Sequence, residues 1–102
     1  MRLGGLQRRI LELAYWCYMD WRTYSIPTDF DINSLVYSYL EHYPENRYNG
    51  YHSCYSSLRN CVKSLMNRGY ITISNPRVDT YKLTEKGIRC CEEEKFPKFV
   101  PP

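Results

Sequence analysis

Leu58-Arg59-Asn60-Cys61-Val62-Lys63-Ser64-Leu65-Met66-Asn67-Arg68-Gly69-Tyr70-Ile71 is the stretch on which the fold turns. Cys54, Leu58, Cys61 and Leu65 stand four, three and four residues apart, with Val62 and Met66 beside them, which is one stripe of a 3.6-residue helix. The period stops at Arg68, and Gly69 follows where a left-handed residue closes a helix. A helix is therefore predicted over 51–68, and Tyr70-Ile71-Thr72-Ile73 after it has the β-branched and aromatic content of a strand. At about 100° per residue, the side opposite the stripe carries Ser53, Ser56, Asn60, Lys63 and Asn67. Arg59 and His52 sit on one shoulder, Ser57 and Ser64 on the other. That outward side is polar, short and free of carboxylates.

Upstream, Leu6, Ile10, Leu13, Ala14, Cys17 and Trp21 mark a first helix from residue 3 or 6 to about 21. Leu11, Tyr15 and Tyr18 form a second apolar row on it. So wide an apolar face points to a second subunit packed on this helix. Ser25-Ile26-Pro27-Thr28 is a break, because proline cannot continue a helix interior. A second helix is predicted over 33–42, capped by Asp31 or Asn33, with Ile32, Leu35, Val36, Tyr39 and Leu40 turned inward. Residues 44–50, rich in Pro, Asn and Gly, are expected to form a turn. Downstream, Ser74-Asn75-Pro76-Arg77 signals a turn and Thr80-Tyr81-Lys82-Leu83 the returning strand, a hairpin with Arg77 near its tip. Thr84 is placed to cap a last helix to about residue 94. The expectation is one domain over 1–94 and a Pro-containing tail over 95–102.

Composition bounds the function. At 102 residues, with 43% hydrophobic and 25% charged, the chain is the size of one globular core. No apolar run is long enough to span a membrane, and Arg8, Arg9 and Glu12 interrupt the first helix where a secretory signal needs an apolar core. A cytoplasmic location is expected. The net charge of +3 is unevenly spread: residues 1–50 hold five Lys/Arg against six Asp/Glu, residues 51–102 nine against five. Arg59, Lys63, Arg68, Arg77, Lys82, Lys86 and Arg89 face only Asp79 and Glu85 within their span, a balance that suits a polyanion. Cys54 and Cys61 would lie about 10.5 Å apart on a helix, too far to bridge, and neither a C-x-x-C pair nor a second His at ligand spacing supports zinc. The thiols of Cys17, Cys54 and Cys61 are expected to be buried.

Two segments carry a family resemblance. The run ending Arg68-Gly69-Tyr70-Ile71 resembles the close of the recognition helix in MarR-like and PadR-like winged helix-turn-helix regulators. Tyr81-Lys82-Leu83-Thr84-Glu85-Lys86-Gly87 is similar to the end of the wing in the same families. The resemblance covers roughly residues 30–92. It implies an α+β, mostly α fold of three helices, a two-stranded wing and a C-terminal helix. The 44–50 connection is longer and more aromatic than usual there, the wing keeps only Arg77, and the long C-terminal dimerisation helices of full MarR proteins are missing. Small Cys- and Tyr-bearing winged-helix proteins from viruses of thermophilic archaea are similar in composition.

The resemblance implies sequence-specific binding of double-stranded DNA, as in transcription regulation, with helix 51–68 in the major groove and the 74–79 wing on the minor groove or backbone. Asn60 then suits adenine, Arg59 or Lys63 guanine or phosphate, and Ser53, Ser56 and Ser57 phosphates near the positive helix end. Asn67 shares that side, Arg77 is the minor-groove probe, and Lys82 and Arg68 are phosphate clamps. Tyr48, Tyr51 and His52 flank the helix start, with Tyr51 expected in the core. A homodimer through the first helix and the C-terminal helix, reading paired half-sites, is the expected form. No cofactor is expected. Enzymatic activity is not either, since His42 and His52 lie in different elements without a nucleophile or acid at usable spacing. The competing reading is a winged-helix module for protein–protein contact.

Overall fold

The computed structural model of the chain describes residues 3–24 and 29–96, without the side chains of 20–24. The expected break at 25–28, the Trp21 side chain and the tail beyond Phe96 lie outside the described residues. Helices α1 (Gly5–Tyr24), α2 (Ile32–His42) and α3 (Tyr51–Asn67) are followed by β1 (Ile71–Asn75), β2 (Thr80–Leu83) and α4 (Glu85–Glu93). The protein is α+β and mostly helical, with one antiparallel two-stranded sheet.

Each boundary has a local cause. Asp31 caps α2 by accepting the Ser34 amide at 2.7 Å, and Thr84 caps α4 by accepting the Gly87 amide at 3.0 Å. At the end of α3, Gly69 takes φ +82°, its amide reaches the Met66 carbonyl, and the Tyr70 amide reaches Leu65, both at 3.0 Å. This is the paired closure that a left-handed glycine permits. Residues 44–50, expected as a plain turn, hold a 3-10 helix over Pro44–Asn49. It is pinned to α1: Tyr43 donates to buried Glu12 at 3.3 Å, and the Arg9 guanidinium lies 4.2 Å from the Tyr43 ring centre. The Tyr43 phenol is pushed up to about 12 by burial and then by Glu12, so it stays a donor.

Helix α1 is the centre of the molecule. Ile10, Leu13 and Ala14 are buried, as are Leu11 and Tyr15 of the second row. That second row is buried within the chain at Leu11 and Tyr15; at Leu11 the neighbour is α4, whose fully buried Cys91 donates its thiol to the Leu11 carbonyl at 3.6 Å. Phe96, expected in the tail, is also buried, with the Arg8 guanidinium 5.5 Å from its ring centre. In α3 the inner residues are Cys54, Leu58, Val62 and Leu65. Cys61, expected on the stripe, is only half-buried, because the helix turns Val62 toward the centre of the core. Burial still pushes the Cys61 thiol up to about 11. Each fully buried Leu or Ile here contributes about 1.5–3 kcal/mol.

The hairpin pairs Ile71 with Leu83, Thr72 with Lys82 and Ile73 with Tyr81; Ser74 is then an extra residue before Asn75 meets Thr80. The turn occupies residues 76–79, two residues later than the turn signal, and Asp79 closes it at φ +48°. Phe30 adds one antiparallel rung outside the hairpin, exchanging backbone hydrogen bonds with Tyr81 at 2.9 and 2.8 Å. That rung holds the entry to α2 against β2.

Two glycines separate conformation from space. A Cβ on Gly69 meets nothing closer than 3.6 Å, so Gly69→Ala suffers chiefly its positive φ. A Cβ on Gly87 would stand 2.2 Å from the Tyr70 carbonyl oxygen, which is backbone and cannot move aside. Urea denaturation is expected to show Gly69→Ala losing about 1 kcal/mol and Gly87→Ala losing more, about 1–3 kcal/mol or beyond. Equal stabilities of the two variants would contradict the close approach of α4 to the Tyr70 carbonyl.

Candidate nucleic-acid interface

With α1, α2 and the hairpin packed on its inner side, α3 leaves a continuous outer face in solvent. Ser53, Ser56, Asn60, Lys63 and Asn67 are all exposed there, as are Ser57 and Arg59 on its flanks. These seven expected site residues are brought together by one helix. Gly50 precedes α3 at φ +80°, and no side chain caps its first turn. The positive end of the helix therefore opens beside Ser53. Ser53 and Ser57 also line a small groove with Asn46 and Asn49 of the 3-10 helix.

The other expected residues are placed differently. Arg77 is exposed at the hairpin tip, its amide held by the Asn75 side chain at 3.0 Å, and it stands on an element apart from α3. Lys82 is exposed but belongs to the other face of the hairpin. Successive strand residues point to opposite faces; Tyr81 shares a cleft with Arg59, and Lys82 lines a shallow groove with Tyr18, Thr72 and Ile88. It is thus separated from the α3 face by the sheet. Arg68, expected as a phosphate clamp, is turned inward: it donates to Gln7 at 2.7 Å, with its guanidinium 5.5 Å from the Tyr70 ring centre. Gln7 in turn donates to Ser64 at 2.8 Å, so one α1 amide ties down two α3 side chains. Tyr51, expected in the core, is half-buried at its edge and donates to Asn33 of α2.

Two features of the flank escaped the sequence. The first is a polar cleft between α3, the start of α2 and the hairpin, lined by Asp31, Asn33, Tyr55, Arg59, Asp79 and Tyr81. Its carboxylates come from elements distant in sequence, so a reading of α3 alone sees Arg59 as an open cation. Burial, then Asp79, pushes the Tyr81 phenol up, while Arg59 opposes this, which places both charges around that hydroxyl. The second is an aromatic row from α2 to α3. The Tyr37 and Tyr51 ring centres are 5.5 Å apart, Tyr51 and Tyr55 6.2 Å, and Tyr51 and His52 5.9 Å. Tyr37 is 67% exposed and Tyr48, on the 3-10 helix, 96%. An outward position on α2 was the signal available for Tyr37.

Among the described residues, no group of three or more His, Cys, Asp or Glu side chains could hold a metal ion, and no helix is long and apolar enough to cross a membrane. Cys54 and Cys91 are buried, as expected for the first, while Cys17, Cys61 and Cys90 are half-buried; all five thiols are free. In comparisons with known proteins, no family model, no curated protein and no solved structure matches the chain.

The α1–α3 tie gives a direct test of Arg68. Gln7→Ala removes a hydrogen-bond partner of both Arg68 and Ser64, and urea denaturation is expected to show a loss of about 1–2 kcal/mol. A variant as stable as the parent would mean that the Gln7 bonds do not hold the end of α3 to α1.

Proposed function

We propose that this chain is a winged-helix protein that binds double-stranded DNA sequence-specifically and has no enzymatic activity. In this reading α3 enters the major groove and the hairpin is the wing, with Arg77 directed at the minor groove or backbone. The observation that carries the reading is the outer face of α3, where Ser53, Ser56, Asn60, Lys63 and Asn67 lie in solvent with no carboxylate among them. Major-groove readout needs a helix side that donates and accepts hydrogen bonds without repelling phosphate.

Roles follow from chemistry and position. Asn60, at mid-helix, suits a two-point contact with adenine, and Lys63 a guanine or phosphate. Ser53, Ser56 and Ser57 stand in the first two turns, where amides and hydroxyls together favour phosphate oxygens. Arg59 suits a base edge better than a phosphate, since Asp31 and Asp79 line the cleft beside it. Lys82 serves, at most, a backbone contact apart from that of α3. The expected biological role is transcription regulation in the cytoplasm. A homodimer reading two half-sites suits the small area of a single α3. Leu11 and Tyr15 cannot supply its interface, being buried within the chain, so it would use the outer sides of α1 and α4.

A protein-contact module is the second reading, favoured by exposed Tyr37, Tyr48, Ile73 and Val78. Gel shifts on random duplex DNA at two salt concentrations separate the two: retention that falls with salt is expected for DNA binding, and no retention at low salt would favour the protein partner.

Lys63→Ala is expected to weaken binding to all duplexes alike and to make the slope of log affinity against log salt shallower by about one. An unchanged slope would remove Lys63 from the phosphate contacts. Asn60→Ala is expected to lose about 1–3 kcal/mol on a site selected from a random pool and little on random DNA. A preserved ratio of specific to nonspecific affinity would contradict base readout by Asn60.

A further inference from the structure

The row Tyr37–Tyr51–Tyr55 crosses from α2 to α3 on the flank of the proposed interface, and among the described residues no element covers its outer edge at Tyr37. The Tyr51 hydroxyl donates to Asn33, so this ring is anchored between the two helices. Tyr37, 67% exposed, is the most exposed residue of the row, while Tyr55 is half-buried beside Arg59. Three properties of the surroundings select an occupant. The row is continuous with the outer face of α3 through His52 and Arg59, both exposed. It begins at the uncapped, positive end of α3. The carboxylates beside the row, Asp31 and Asp79, line the same cleft as Arg59, which offsets part of their charge, and Asp31 is also bonded to the Ser34 amide at the start of α2.

We infer that this row lies along the sugar–phosphate backbone of one strand of duplex DNA, its rings against deoxyribose and the Tyr37 hydroxyl donating to a phosphate oxygen. This rests on the DNA-binding reading above and adds to it a second contact surface, on α2, made without cations. A strand bordering the groove entered by α3 passes both helices of the pair, and neutral hydroxyl contacts of this kind fix register and orientation. They release no counterion. Their contribution is therefore separable from that of lysine by its salt dependence.

The experiment compares Tyr37→Ala, Tyr37→Phe and Lys63→Ala with the parent on a random duplex across a range of salt, by gel shift or fluorescence anisotropy. Tyr37 is mostly exposed, so both of its variants are expected to melt with the parent. Tyr37→Ala is expected to weaken binding roughly three- to tenfold at every salt concentration with the parental slope, and Tyr37→Phe to show most of that loss. Parental affinity in both Tyr37 variants, alongside a weakened Lys63→Ala, overturns the inference while the α3 face still stands as the interface. A shallower slope for Tyr37→Ala also overturns it, since a neutral contact cannot change the ions released. If neither Lys63→Ala nor Tyr37→Ala changes binding, or the parent retains no duplex, the inference falls together with the DNA-binding reading.

Discussion

Three consecutive carbonyls just past the end of α3 are held by the start of α4, and the rest of the molecule is arranged around that junction. The Arg68 carbonyl accepts from the Lys86 ammonium at 2.7 Å, Gly69 from the Thr84 hydroxyl at 2.6 Å, and Tyr70 from the Thr84 amide at 3.0 Å. The carbonyls of Ser64, Leu65 and Met66 in the last turn of α3 are already met by the amides of Arg68, Gly69 and Tyr70, and α4 takes up the three that follow the helix while bringing a positive charge to the helix end, where it is favourable. Gly87 makes the approach possible, because any side chain there would collide with the Tyr70 carbonyl. The hairpin between the two motifs is then closed at its base, which sets the direction of β1 and β2 relative to α3.

The sequence runs read above as resembling winged-helix regulators meet at this junction. There Arg68-Gly69-Tyr70 and Thr84-Glu85-Lys86-Gly87 join a helix, a hairpin and a second helix. That role is architectural and silent on ligand. Any function has to rest on the surfaces the junction leaves free. Those are the outer face of α3, the cleft flanking it and the aromatic row leading to α2.

Charge on these surfaces is mixed. Lys63 and Arg59 are accompanied by Asp31 and Asp79 on the flank, while Arg68 is held by Gln7 of α1, Lys86 is engaged in the junction and Arg8 is paired with Glu94 at 3.1 Å. The basic excess of the second half of the chain is thus divided between structure and surface. What remains on the α3 face is one lysine among serines and asparagines, a composition suited to hydrogen-bonded recognition more than to electrostatic capture.

Much of the local structure could be read directly. Gly69 announces the end of α3, Asp31 and Thr84 announce the starts of α2 and α4, and the outward side of α3 follows from its period, because caps and periodicity depend on neighbours within a few residues. The choice of Val62 over Cys61 for the core depended on the angle at which α3 meets α1, since the two differ by only about 100° on the helix. The fate of Leu11 and Tyr15 was likewise tertiary. An apolar row shows that something must cover it, but whether α4 or a second subunit does so depends on a contact eighty residues away in sequence. The same holds for Arg68, Lys82, Tyr37 and the carboxylates beside Arg59: sequence determined their charge and their place along an element, and packing between distant elements decided which way each one faces.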